Sequence, residues 1–542
     1  MIAVMFVRKK RTKNNPHVYV QLVESFRKNG SISQKVIKHI GTSVTDEQLE
    51  KIVLLANQIK DLYLAKKDEQ SIEIFRKQEL SKINGSRSLT LNCIPIKKII
   101  KGLDEVYGKI FDEMCLNKVI KNRSNYNEIL KYIVIGRIAC LGSKRKICEQ
   151  LEQKFNKKYD LNSIYRTMDK LTDDVIELIK NNVANYTQNL LQNNIKVLFY
   201  DTTTIYFECF TEDELKNLGF SKDLKFNQPQ VVLTLLVTEH GLPLAYQLFP
   251  GNTYEGNTLL TAMKYWKSLY PEQKITLVAD SGMLNNANLE NLEAEGFDYI
   301  VCARLKSFNK TIQNTIISNK HMSEGDNYYN IKLNNRRLVI SYRKNRAIKD
   351  YYDRNKSVER LTSKLKKSTS PASLISNYGY KKYITVNQNS KIELNEDKIL
   401  EAERWDGLHG LITNIQDKPA EEIYSYYRGL YQIEDAFRIN KTDLKIRPIF
   451  HWTPERVKAH IAVSYMAYCC YKAVEFKVNK TLGETISHRM IREILEETQV
   501  AVYEDKYSKE QFCMPLPIPA KAREIYSSLN LTLNCDSYRY IT

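Results

Sequence analysis

Residues 191–306 change hydrophobic period in an order that few folds accommodate. NIKVLFYDTTTIYFECF is a run of β-branched and aromatic residues passing through Asp201, and QVVLTLLVTEHGLPLAYQLFPG reads as a hairpin that turns at His240 and Gly241. A helical stretch follows over 255–269, then the short buried strand ITLVAD ending at Asp280, a helix over 287–295 and the strand DYIVCARL. Three antiparallel strands, a helix, a strand, a helix and another strand is the order of an RNase H-like mixed sheet. At residue 306 such a sheet still lacks its closing helix.

About 110 residues intervene before one is found. YNIKLNNRRLVISYR, KKYITVNQNSKIELN and HGLITNI are strand-like, and RNKSVERLTSKLKKSTS between them is basic and polar, so the expectation is a β-rich insertion. The closing helix is then expected in YYRGLYQIEDAFRINKTDLKIRPIFHW, residues 426–452. There Leu430, Ile433, Phe437 and Leu444 follow helical spacing, which brings Glu434, Arg438 and Lys441 onto roughly one face. Alone, that face reads more readily as a solvated, salt-bridged surface, and the rest of the sequence has to overturn that.

Upstream, residues 1–42 alternate apolar and polar as a small antiparallel sheet with a tight turn at Asn29 and Gly30, and a helical period runs from Asp46 to about Arg76. Residues 91–190 read as entirely helical. Within them LGSKRKICEQLEQKFNKKYDLNSIYRTMDKLTDD resembles two short helices joined by a turn, the second starting near Asn162 and Ser163. As a helix-turn-helix it would direct Arg166 and Lys170 at DNA; a plain helical bundle is the alternative. The domain organisation expected is 1–90 (small sheet and helix), 91–190 (helical, DNA-binding), 191–306 (first part of the core), 307–415 (insertion) and 416–542 (closing and C-terminal helices).

Charge narrows the partners. Lys and Arg outnumber Asp and Glu by 82 to 63, a net charge of +19 that favours a polyanion, nucleic acid first, although Lys- and Asn-rich composition also follows from biased codon usage. Ten scattered cysteines form no CxxC pair, which argues against zinc or a disulfide framework and for a reducing cytoplasm. The start MIAVMFVRKK does not read as a signal peptide, and no run of 18 apolar residues suggests a membrane span.

The RNase H-like reading gives three carboxylates a common destination: Asp201 on the first core strand, Asp280 at the end of the fourth, and Glu434 on the closing helix. Three acids brought together repel unless a cation sits among them, and an oxygen-only donor set suits Mg²⁺ or Mn²⁺. Two such ions activate the attacking oxygen and stabilise the leaving one in phosphodiester chemistry. Arg438 and Lys441 would then hold DNA phosphates beside the metals.

The strings FYDTTTIYFE, LPLAYQLFPGNTYEGNTL, LVADSGMLNNANLENL and YYRGLYQIEDAFRINKTDLKIRPIFHWTPERVKAHI resemble the motifs of DDE-type insertion-sequence transposases. They are most similar to the IS-four superfamily, in the branch with a β-rich insertion between the second Asp and the Glu. The resemblance implies that Asp201, Asp280 and Glu434 are the catalytic metal ligands, for Mg²⁺ or Mn²⁺ and two ions. It also implies a dimer that binds double-stranded inverted-repeat ends, cuts them and joins the 3′ hydroxyls to target DNA. The family's C-terminal signature places Tyr, Arg, Glu and Lys at fixed intervals. Tyr427, Glu434 and Lys441 match, but Leu430 stands at the Arg position, leaving Arg428 or Arg438 to supply that contact. Relatives stack an insertion tryptophan on a flipped base; Trp405 lies in the analogous region and reads better as a core residue. A nuclease of the same fold and an inactive DNA-binding regulator are the alternative functions.

Overall fold

The apolar runs of residues 195–306 become strands buried on both faces of one large sheet. The computed structural model describes residues 4–12, 17–28, 31–65, 69, 72–73, 75–76, 79–80, 93–140, 142–208, 211–220, 227–269, 274–280, 285–323, 327–367, 382–386, 392–505 and 509–540. The chain divides into two compact units, residues 1–95 with 503–511, and residues 96–502 with 512–542.

In the first unit β1 (Val4–Arg11), β2 (Val18–Lys28) and β3 (Ser31–Ser43) form an antiparallel sheet in chain order. The turn expected at Asn29 and Gly30 lies outside the described residues. Helix α1 (Asp46–Leu64) starts where the Thr45 side chain accepts the Gln48 amide. Its buried stripe Leu49, Ile52, Leu55 and Ile59 covers Val18, Val20, Leu22 and Ile40 of the sheet. Each such side chain removed from water contributes about 1.5–3 kcal/mol.

Residues 91–190 differ from the all-helical expectation, because Cys93–Ile100 forms a strand, β4. The β-branched pairs at its two ends explain this, and Ile99 packs with Val500, Val502 and Cys513. Helices follow: α2 (Gly102–Glu113), α3 (Ser124–Ala139), α4 (Lys144–Phe155), α5 (Leu161–Met168) and α6 (Asp173–Leu190). Helix α5 starts two residues earlier than Asn162 and Ser163 suggested. The Asp160 carboxylate accepts both the Ser163 amide (2.8 Å) and its hydroxyl (2.7 Å), and so outcompetes the weaker caps.

Next come β5 (Val197–Tyr206), β6 (Gln230–Thr238), β7 (Pro243–Pro250), α7 (Thr258–Leu269), β8 (Thr276–Ala279), α8 (Asn286–Ala294) and β9 (Asp298–Cys302). The insertion supplies α9 (Lys310–Ser318), β10 (Tyr329–Leu333), β11 (Arg336–Tyr342), α10 (Lys344–Lys367), β12 (Ile384–Val386), β13 (Ile392–Leu394), α11 (Glu396–Glu403) and β14 (Leu408–Thr413). The eight-stranded sheet runs β10-β11-β14-β9-β8-β5-β6-β7, with β5, β8 and β9 parallel and the other pairings antiparallel. Three insertion strands therefore extend the core sheet. The basic stretch between them is the 24-residue helix α10, whose buried Leu361 packs with Val358 and Leu365, a helical stripe hidden among charges.

Successive residues of β5 feed opposite cores. Leu198 and Tyr200 pack with Leu259, Trp266 and Leu289 of α7 and α8, whereas Val197 and Phe199 join Ile433, Ala436 and Phe437 on the other face. That face is covered by α12 (Ala420–Arg428), α13 (Tyr431–Arg438) and α14 (Pro454–Leu482), the last buried along most of its length. α15 (His488–Glu497) follows.

Candidate active site

Strand register determines what lies at the end of the parallel strands. The last paired residues across them are Tyr200 with Ala279 and Ala279 with Val301. One position further along each chain stand Asp201, Asp280 and Cys302, in a row across three neighbouring strands about 4.8 Å apart. Alternation puts this row on the face of Phe199, Val278 and Ile300, the face that α12 and α13 cover. Asp201 is half-buried and its carboxylate accepts the Thr202 amide at 2.7 Å, while Asp280 is exposed.

Glu434 is exposed on α13, whose apolar side, Ile433, Ala436 and Phe437, packs over β5 and β6. Gly429, between α12 and α13, explains how the pair approaches so closely. A Cβ there would overlap the ring of Phe199, two residues before Asp201. The single helix expected from Tyr427 through Lys441 is therefore broken at Gly429 and Leu430. It changes again after Arg438 into a π-helical turn, Ile439–Asp443, closed by the Leu444 amide on the Ile439 carbonyl at 2.8 Å. Its buried Asp443 takes hydrogen bonds from Arg489 (2.6 Å) and His488 (3.2 Å), fixing the turn from α15. Lys441, half-buried in this turn, is consequently off the α-helical face that its spacing from Glu434 suggested.

Three side chains that sequence patterns did not single out surround Asp280. His409 of β14 has Nε2 3.5 Å from the Cys302 Sγ, and its ring lies 5.3 Å from that of Tyr427. Burial, reinforced by the Arg346 guanidinium, pushes the His409 imidazole down to about 4, against the opposing charge of Asp280. It is therefore neutral at pH 7. Burial raises the Cys302 thiol, with Asp280 adding to the shift, so the thiol stays protonated. Burial likewise raises the Tyr427 phenol, with Cys302 and Asp280 reinforcing it. Arg346, from α10, also lines a cleft of about 540 Å³ with Cys302, His409, Lys306 and Trp405. Trp405 is buried there, with the Lys306 ammonium 5.8 Å from its ring centre.

The basic residues expected to meet DNA differ in availability. Arg166 and Lys170 are exposed. Arg428 is exposed and donates to the Tyr328 hydroxyl at 3.2 Å. Arg438 is held by Asp435, Nε to Oδ1 at 3.0 Å, and lies 3.7 Å from Asp443. Leu430 packs against the core, which accounts for an apolar residue at that position. Asp201, Asp280 and Glu434 offer oxygen donors only, the chemistry of a hard divalent-cation site. Among the described residues no three His, Cys, Asp or Glu side chains already stand close enough to hold a metal ion.

Residues 195–470, just over half of the chain, match the Transposase DDE domain family. The chain belongs to the DDE transposase family. Residues 7–70 of the transposase also match the IS1634 family transposase, N-terminal domain. Membership makes it an enzyme of DNA cleavage and transfer and implies a divalent metal ion, generally Mg²⁺ or Mn²⁺. No curated protein sequence matches the chain. Among solved structures it is similar to the piggyBac transposase synaptic complex with hairpin DNA, at 8% identity and a TM-score of 0.38 over 73% of this chain and 77% of that one. It is also similar to the Drosophila P element transposase strand transfer complex, at 12% identity and a TM-score of 0.20 over 72% and 89%. A third is the Mos1 transposase paired-end complex with left transposon end, at 12% identity and a TM-score of 0.15 over 45% and 72%. No described helix of the transposase is long and apolar enough to cross a membrane.

Proposed function

We propose that the transposase binds the terminal inverted repeats of an insertion sequence, cleaves the element ends and transfers the freed 3′-hydroxyl strands to target DNA. Asp201, Asp280 and Glu434 are the catalytic carboxylates in this reading. The observation that carries it is the row of Asp201 beside Asp280 on the face covered by the Glu434 helix. The three would hold two Mg²⁺ or Mn²⁺ ions, which when bound supply the charge that activates the attacking oxygen and stabilises the leaving one.

The chain's own groups position the strands. Tyr427, whose phenol burial keeps protonated, orients beside Asp280 in this reading and donates a hydrogen bond rather than attacking. With Leu430 turned into the core, Arg346, whose guanidinium acts on His409 and Cys302 beside Asp280, takes the phosphate contact in this reading, supported by Lys441 and by Arg428. Arg438, paired with Asp435 within α13, serves chiefly to tie that helix to Asp443 of the π-turn. Exposed Arg166 and Lys170 on the α4–α5 pair read the element ends, and the functional division is end recognition by 1–90 and 91–190, chemistry by 191–306 and 416–542, and phosphate support from 307–415. Two ends must be handled together, so the working species is a homodimer on DNA.

Incubating the protein with Mg²⁺ and DNA carrying the flanking ends tests this: end-specific nicks and joined products are expected. Unspecific cutting without joining would instead favour an RNase H-like nuclease. One protein copy per pair of ends would contradict the dimer.

A further inference from the structure

A second group of basic side chains lies away from the acidic row. Arg137 of α3 and Lys144, the first residue of α4, are 2% and 6% exposed, and both face the half-buried His451 and the buried His460 of α14. The two imidazole rings are 5.3 Å apart. Burying the Arg137 guanidinium among three other basic groups is costly unless a counter-charge accompanies them. The acid that acts on the group, Asp169, is bound to Arg456 by two hydrogen bonds of 2.8 and 3.0 Å.

Hydrogen bonding leaves Arg137 short of partners. Its Nε is buried with none. One Nη contacts the Gly142 carbonyl at a long 3.4 Å; the other points at His460 Nε2 at 3.1 Å. That same nitrogen lies 3.0 Å from the Ile446 carbonyl. With Nε2 donating to that carbonyl, the acceptor left on the ring is Nδ1, a long 3.5 Å from the same Nη, so the Arg137 guanidinium is poorly satisfied. An acceptor with several oxygens would satisfy its Nε and Nη donors. Burial and the neighbouring positive charges push Lys144 and His460 well below their ordinary values, so an anion would have to accompany their protonation.

We propose that Arg137, Lys144, His451 and His460 form a phosphoryl-anion site, filled in the working complex by a backbone phosphate of bound DNA. The surroundings favour a polynucleotide over a small ion. α4 leads directly into α5 with exposed Arg166, and His451 is flanked by Phe450 and Trp452, which are 66% and 76% exposed, large aromatic faces of the kind on which nucleobases stack. Only the source of the phosphate rests on the reading of the chain as an end-binding transposase.

The test uses the full-length protein, wild type against Lys144→Met and Lys144→Arg. Thermal unfolding with inorganic phosphate requires neither DNA nor activity: a saturable rise in Tm is expected for wild type and Lys144→Arg, and none for Lys144→Met. Binding to end DNA across a salt series then identifies the source. A slope of log affinity against log salt smaller by about 0.9 in Lys144→Met assigns a DNA phosphate. Phosphate-dependent stabilisation with an unchanged slope retains the anion site but overturns its occupancy by DNA. Absence of both effects in a folded Lys144→Met protein, with wild type indifferent to phosphate, overturns the proposal altogether. The first arm holds or fails whatever becomes of the catalytic assignment.

Discussion

Asp201 and Asp280 lie side by side, each one residue beyond the last paired positions of adjacent parallel strands, Tyr200 and Ala279. Two carboxylates so placed repel in the absence of a cation. Asp201→Asn or Asp280→Asn is therefore expected to leave the protein as stable or stabilise it by about 0.5–1 kcal/mol, while reducing Mg²⁺-dependent cleavage by roughly a thousandfold or more. Urea unfolding and end-cleavage rates measured on the same preparations check both halves. A large stability loss would make these acids structural.

In the proposed function Arg346 takes the phosphate contact that an arginine at position 430 would make. Arg346→Gln is expected to slow cleavage by roughly 10–100-fold with little change in stability, since its ion pair with Asp350, at 3.9 Å, is exposed. Leu430→Arg should not restore activity to that variant and should cost about 1–3 kcal/mol, because it forces a charge against the core. Recovery of cleavage in the double variant would refute the substitution of roles.

Gly429 sets the distance between the α12–α13 pair and β5. Gly429→Ala is expected to destabilise by about 1–3 kcal/mol through overlap with Phe199, and Phe199→Leu added to it should recover part of the loss. Denaturant midpoints of the two single variants and the double variant measure the coupling. Strict additivity would mean that the two do not meet.

Acid stability should depend on the network beneath the π-turn. Burial alone would raise Glu475, but His488 and Lys472 hold it at about 2, below the ordinary 4.5; Asp443 is also kept low against burial by Arg489 and His488. A carboxyl with a lower value in the folded state contributes stability that is complete above about pH 4.5 and is lost as pH falls toward 2. For Glu475 the loss amounts to about 3 kcal/mol. Unfolding midpoints between pH 5 and 2 should fall less steeply in Glu475→Gln than in wild type, and identical slopes would exclude this source.

What the sequence disclosed depended on how local each signal is. The strands around Asp201 and Asp280 are continuous apolar runs, so their order and the row they form could be anticipated from period alone. Helix α10 could not, because Leu361 and its neighbours are spaced among lysines and arginines that read as a linker. His409 and Arg346 were illegible for another reason: they reach Asp280 only because β14, from the insertion, pairs with β9 more than a hundred residues earlier. The break after Arg438 likewise depends on Asp443 meeting His488 and Arg489 some 45 residues away.

The central claim is that Glu434 completes a metal-dependent site with the two aspartates. Its most direct test is a Mg²⁺-dependent cleavage and strand-transfer assay on DNA bearing the element ends, comparing wild type with Glu434→Gln. The account predicts end-specific cutting and joining by wild type and loss of both in the variant, with end binding retained. Equal cutting and joining by the two proteins would contradict it.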